Sequence, residues 1–276
     1  MRKIYYEWTL LVGLLFVLFL TIGACSLKDP ITHINTEAVE KGYSRILLKG
    51  NPFQHILFVK KSDNYRGQLH VYIEGDGTPW INRRWIARDP TSRNPLMLHL
   101  MAMDSHYAVY LGRPCYLGLE KTPPCRPSYW TSARYSEQVV NSMSTALKKY
   151  IEGFPNLQIT LMGHSGGGSL AMLLAQRIPQ TVAVVTLAAN MDIDAWANHN
   201  GYSPLTESLN PANQSSLSPH IQQWHFAGKD DTNIPLNSIR SEVARQPNAL
   251  LRIQEGQDHS CCWEKVWPSI LGLLDE

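Results

Sequence analysis

No block of like charge interrupts this chain of 276 residues: 25 Lys and Arg stand against 23 Asp and Glu, a formal net charge of +2. That balance excludes the basic footprint of a nucleic-acid-binding protein and argues against a polybasic lipid-binding patch. There is no phosphate-binding glycine loop and no dinucleotide fingerprint, so no nucleotide cofactor is expected. No metal-ligand spacing of His, Cys, Asp or Glu occurs, so neither metal nor cofactor is expected. No internal repeat is visible, which removes solenoids and propellers.

What is present begins at the N-terminus. Arg2 and Lys3 precede an apolar run over residues 9–24 that closes on small residues, the pattern of a secretory signal. Ile22-Gly23-Ala24-Cys25 resembles the lipobox of bacterial lipoproteins. The resemblance implies lipidation of Cys25, cleavage after Ala24, and a membrane anchor without a spanning helix. Residues 1–24 then form the signal peptide, and the polar, unpatterned residues 25–41 a tether. Ser26 and Leu27 put no aspartate beside the cysteine, which points to the outer membrane in a Gram-negative source. An uncleaved anchor helix is the alternative; either way the body is exported to the cell envelope.

Four further cysteines are Cys115, Cys125, Cys261 and Cys262. An oxidising compartment permits disulfides and disfavours a free catalytic thiol; four cysteines allow three connectivities. Cys115 with Cys125, closing a short proline-rich loop, is the first choice and leaves a vicinal Cys261–Cys262 pair. The alternative joins one cysteine of each pair.

Residues 42–276 suit a single domain with a sizeable core. Strand-like runs near residues 43–48, 55–59, 69–73, 107–111, 159–162, 182–187, 222–227 and 249–253 alternate with helical patterns. The helical patterns cover residues 136–151, 170–177, 236–245 and 263–274. This alternation predicts an α/β fold with a largely parallel sheet. Residues 191–219 show no period and are rich in Asn, Ser, Pro and Gly, which reads as a cap or lid segment.

One stretch carries chemistry. The apolar residues 159–162 meet Gly163-His164-Ser165-Gly166-Gly167, and a small-residue helical pattern follows. Strand, G-x-S-x-G turn and helix together describe a nucleophile elbow, which holds the serine in a strained conformation above a sheet. Ser165 is the candidate nucleophile; the plainer reading is a serine in a glycine-rich turn. A serine hydroxyl needs a base, and the base an orienting acid. Gly228-Lys229-Asp230-Asp231-Thr232-Asn233-Ile234-Pro235 and Gly256-Gln257-Asp258-His259 each follow a predicted strand, in the order Ser, acid, His.

On these residues the chain resembles the α/β-hydrolase superfamily over residues 41–276. The resemblance implies a mostly parallel central sheet with helices on both faces and a short cap insertion. It places the nucleophile at Ser165, the acid at Asp231 and the base at His259. It implies one oxyanion donor from the amide of Gly166 and a second from Asp76 or Gly77 in Glu74-Gly75-Asp76-Gly77, where many members have His-Gly. The runs Tyr72–Trp80 and Tyr129–Ser136 resemble an exported bacterial subgroup.

Each assignment has a rival. Asp230 competes with Asp231, and Asp258 is free to orient locally or to cap a turn. His164, expected to point away from the serine, and His225, in a buried strand pattern, compete with His259. The acidic loop calls for a partner such as Arg83, Arg84 or Arg113. Trp80, Trp85, Trp130 and Trp196 fall on predicted loops above the strand ends, either lining an apolar pocket or packing as staples. The expected activity is hydrolysis of an ester or amide in a small or lipid-like acyl substrate. Peptidase, thioesterase and lyase are variants of it, and a non-catalytic envelope lipoprotein is the rival of another class.

Overall fold

The computed structural model describes residues 29–61, 67–154 and 156–274. The expectations for residues 1–24 and Cys25 lie outside the described residues. The first helix, α1 (Pro30–Glu40), starts where Asp29 accepts the Thr32 amide and Pro30 needs no hydrogen-bond partner. Ile34 and Ala38, one turn apart, are buried, and Glu37 reaches His99. Residues 30–41 are therefore not a tether but part of the folded body. A two-residue stripe was too short to register as a period.

Eight strands form one sheet: β1 (Ser44–Lys49), β2 (Gln54–Lys60), β3 (Gln68–Ile73), β6 (Ala108–Leu111), β7 (Gln158–His164), β8 (Thr181–Leu187), β9 (Gln222–Gly228) and β10 (Ala249–Gln254). A separate hairpin of β4 (Trp80–Ile81) and β5 (Trp85–Ile86) leaves the chain between β3 and β6. The sheet order is β1-β2-β6-β3-β7-β8-β9-β10. β1–β2 and β2–β6 pair antiparallel, and every later pair is parallel. Residues of β2, β3, β6 and β7 are buried almost throughout, the near-continuous apolar signature of strands covered on both faces. β10 closes the far edge, with Leu250 and Ile253 exposed.

The helices are α2 (Leu96–Met103), α3 (Glu137–Ile151), α4 (Gly166–Ala175), α5 (Ile193–Asn200), α6 (Leu236–Arg245) and α7 (Trp263–Gly272). In α3 the expected face of Val139, Val140, Met143, Leu147 and Ile151 is buried, and Ser136 caps its start by accepting the Val139 amide. All residues of α4 are buried. The region read as a cap, residues 191–219, holds α5 and the short 3-10 turn Pro211–Asn213. Its Asn210 side chain ties to Asp192, Asp194 and the Ile193 amide, so the segment is packed rather than loose. Cys115 is joined to Cys125, and Cys261 to Cys262. No helix among the described residues is long and apolar enough to cross a membrane.

Parallel strands end on the same side of a sheet, and ligands of such sheets bind at that carboxyl end. The loops after β3, β7, β9 and β10 carry, in turn, Glu74 to Gly77, Ser165, Asp231 and His259. The topology thus delivers four distant stretches of sequence to one edge.

Candidate active site

Ser165 sits between β7 and α4 with φ +53° and ψ −124°. A non-glycine residue is rarely found there, and the surrounding packing holds it. The flanking glycines leave no room for side chains: a Cβ on Gly163 would lie 2.2 Å from the Gly167 carbonyl oxygen, and one on Gly167 would lie 2.1 Å from that of Ile73. The sharp turn lifts the hydroxyl off the sheet.

His259 meets it from the loop between β10 and α7. The Ser165 Oγ–H donates to His259 Nε2 at 3.1 Å, and His259 Nδ1–H donates to Asp231 Oδ2 at 2.9 Å. The carboxylate fixes the tautomer, leaving Nε2 free to accept a proton. Asp231 Oδ1 accepts the Asn233 and Ile234 amides at 2.8 and 3.0 Å. Burial alone would raise the Asp231 pKa, but the hydrogen bond and charge of His259 and the two amides hold it below its ordinary value.

The rivals take no part in this relay. Asp230 is exposed. Asp258 caps the turn that carries His259, its Oδ1 accepting the Ser260 and Cys261 amides at 2.8 and 2.6 Å. His225 is buried beside the Thr186 hydroxyl, and burial lowers its pKa to about 3. His164 corrects an expectation. Its ring does not turn away from the site but packs 5.1 Å from that of His259, and its Nε2–H donates to the His259 carbonyl at 2.6 Å. Burial and the neighbouring His259 push the His164 pKa down to about 4, so it is neutral near pH 7.

The loop after β3 is more than a glycine turn. Gly75 packs against Ser165: a Cβ there would sit 3.4 Å from Ser165 Cβ. Gly77, with φ +64°, presses on Pro90, whose carbonyl oxygen would lie 2.2 Å from an added Cβ. Between them the Asp76 carboxylate turns inward. Arg113 Nη1 donates to its Oδ1 at 2.6 Å, Arg134 Nη1 to its Oδ2 at 2.7 Å, and the Tyr135 hydroxyl donates at 2.7 Å. Burial works against this charge, yet the two guanidiniums and Tyr135 hold its pKa well below the usual carboxylate range. Arg113 further donates to the Arg134 carbonyl, and Arg134 to that of Thr131.

Of the expected partners only Arg113 reaches Asp76; Arg83 and Arg84 are exposed on the β4–β5 hairpin. Arg134 and Tyr135 were missed as partners, although both stand in the run Tyr129–Ser136. Gly166 opens α4, so its amide is among the helix's unpaired first N–H groups. Neighbouring Glu74 is buried, accepting the Gly75 and Met97 amides, and burial pushes its pKa up to about 7 against those bonds and the Arg113 charge.

The four tryptophans divide. Trp130 and Trp196 are buried staples, their indole N–H groups donating to the Ala87 carbonyl and the Asn233 side chain. Trp80 and Trp85 are exposed. At the opposite end of β3, His70, Asp104 and His106 lie close enough to be metal ligands. The Asp104 carboxylate there already accepts both imidazoles, the Tyr72 hydroxyl and the His106 amide, which satisfies its charge without an ion.

The sheet order, the elbow and the loop placement define an α/β-hydrolase fold. The pattern of the family described as lipase (class 3) matches residues 121–190, the stretch from the Cys125 loop through the Ser165 elbow. Among solved structures, proline iminopeptidase from Mycobacterium smegmatis is similar at 9% identity and a TM-score of 0.64, covering 84% of this chain and 98% of that one. An esterase from Pyrococcus furiosus is similar at 11% identity and a TM-score of 0.61, covering 84% and 90%. An acylaminoacyl peptidase from Pyrococcus horikoshii has 10% identity and a TM-score of 0.59, and this chain, covered to 84%, spans 41% of its length. No curated protein matches in sequence.

Proposed function

We propose that this chain is a serine hydrolase that cleaves an acyl ester. The observation that carries this reading is the relay from Ser165 to His259 to Asp231, at 3.1 and 2.9 Å, on a strained elbow. Ser165 Oγ attacks the substrate carbonyl while His259 Nε2 takes its proton. Asp231 holds His259 in the working tautomer and stabilises the imidazolium. His259 then returns the proton to the leaving alcohol, and water, deprotonated by the same nitrogen, hydrolyses the acyl-enzyme.

The tetrahedral oxyanion falls to the Gly166 amide and an amide of Asp76 or Gly77. The Asp76 charge beside that site is countered by two arginines. The class 3 lipase match favours an ester over an amide. The Ile22-Gly23-Ala24-Cys25 run and the Cys115–Cys125 bond support an exported, lipid-anchored protein of the bacterial envelope.

Fluorophosphonate labelling tests the reading. Wild type should label, Ser165→Ala should not, and His259→Ala should lose turnover of a p-nitrophenyl ester by about 10⁴-fold or more. A folded wild type that stays unlabelled identifies instead a non-catalytic envelope protein. Palmitate incorporation abolished by Cys25→Ala is the expected result for the anchor.

A further inference from the structure

Nine large apolar side chains are well exposed among the described residues, and four belong to one hairpin. Trp80, Ile81, Trp85 and Ile86 are 41, 42, 66 and 45% exposed. Trp80 pairs with Ile86 and Ile81 with Trp85. Successive strand residues point to opposite faces, so each face of the hairpin leaves apolar surface exposed. The turn is Asn82-Arg83-Arg84, with φ +50° at Asn82 and +55° at Arg83. Arg83, Arg84 and Arg88 are exposed, and no acidic residue occurs between Gly77 and Arg88. Interleaved with Trp and Ile, these arginines make no run of charge, which is why the sequence shows no polybasic patch; the fold collects them.

The base of the hairpin is fixed. Ala87 N–H donates to the Pro79 carbonyl at 2.9 Å, Thr78 N–H to that of Pro90 at 2.9 Å, and the Trp130 indole to that of Ala87 at 3.1 Å. An apolar, cationic tip therefore stands on a firm stalk. It grows from the loop whose Gly75 packs against Ser165, at the same end of the sheet as the nucleophile.

We propose that the β4–β5 hairpin docks this chain on an anionic phospholipid bilayer. Trp80, Ile81, Trp85 and Ile86 enter the interfacial layer, and Arg83, Arg84 and Arg88 pair with lipid phosphates. Tryptophan favours that layer because its ring is apolar and its N–H polar. Each arginine near an anionic surface adds its own attraction. Charge selects this occupant over a second copy: a two-fold contact through the tip would set Arg83 and Arg84 against their own copies. Docking would bring membrane acyl groups to Ser165. That consequence rests on the hydrolase reading; the docking itself does not.

The test mixes the full chain with vesicles of phosphatidylcholine and phosphatidylglycerol carrying brominated acyl chains, and reads tryptophan quenching. Where residues 1–24 are retained, Trp8 contributes equally to every variant. Wild type should show a quenched component that Trp80→Phe/Trp85→Phe lacks. Arg83→Ser/Arg84→Ser/Arg88→Ser, or vesicles without phosphatidylglycerol, should shrink that component several-fold, with melting and fluorophosphonate labelling unchanged. Equal quenching of wild type and the double tryptophan variant overturns the proposal. So does quenching indifferent to charge, or a hairpin-dependent dimer by sedimentation in detergent. If the chain fails to label yet shows the hairpin component, the hydrolase reading falls and the docking stands.

Discussion

Gly166 and Asp76 are in direct contact: a methyl group on Gly166 would lie 2.2 Å from Asp76 Oδ1 and 2.3 Å from the Tyr135 hydroxyl. The first residue of the elbow helix and the loop after β3 are thus one packed unit, although 90 positions separate them in sequence.

Gly166→Ala should therefore fail in two ways. The added carbon displaces a carboxylate held by three donors, so the melting temperature should fall by an amount corresponding to about 1–3 kcal/mol. Moving the Gly166 amide should lower kcat by about 10²–10³-fold with little change in KM. Steady-state kinetics and a thermal melt check both.

Asp76→Ala should be more damaging to folding than to any local contact. Arg113 and Arg134 are 3 and 5% exposed, and without Asp76 two buried positive charges lose their shared partner. The expected loss is about 3–5 kcal/mol, read as a shift of the urea midpoint. Arg113→Met should cost less alone, because Arg134 and Tyr135 still hold the carboxylate.

Glu74 predicts a pH effect of definite sign. Its folded pKa of about 7 lies above its ordinary value of 4.5. The folded state therefore holds this proton more tightly than the unfolded state does. The associated stability is complete below about pH 4.5 and is lost as pH rises through about 7, some 3 kcal/mol in all. Asp76 acts oppositely, stabilising above the ordinary carboxylate range and losing that contribution in strong acid. Urea midpoints between pH 5 and 8 should show a Glu74 slope that is absent in Glu74→Gln.

His164→Phe should spare folding more than rate. The substitution keeps an aromatic ring against His259 but removes the donor to its carbonyl. Slight misplacement of His259 should lower kcat by about 10–100-fold. Fluorophosphonate labelling should slow in step, with the far-ultraviolet circular dichroism unchanged.

The parallel strands and the three loops bearing Ser165, Asp231 and His259 were legible because each rests on local pattern: an apolar run, a turn, a fixed spacing. Other features carry no such signal. α2 is buried on nearly every side, so Leu96, Met97, Leu98, Leu100 and Met101 show no helical period. β4 and β5 are two residues each, too short to alternate. The Asp76 partners lie 37 to 59 positions away, where spacing encodes nothing. α5 was hidden among helix-poor Asp, Asn and His residues, though its Asp192 cap and left-handed Gly201 mark both ends.

The sheet order separates the working parts by the strength of their footing. Ser165 follows β7, deep in the sheet, whereas His259 follows β10, an edge strand with one neighbour and an exposed outer row. Edge strands open more readily than central ones. His259 therefore follows a strand held on one side only, and warming should silence the site while the core around Ser165 is still intact.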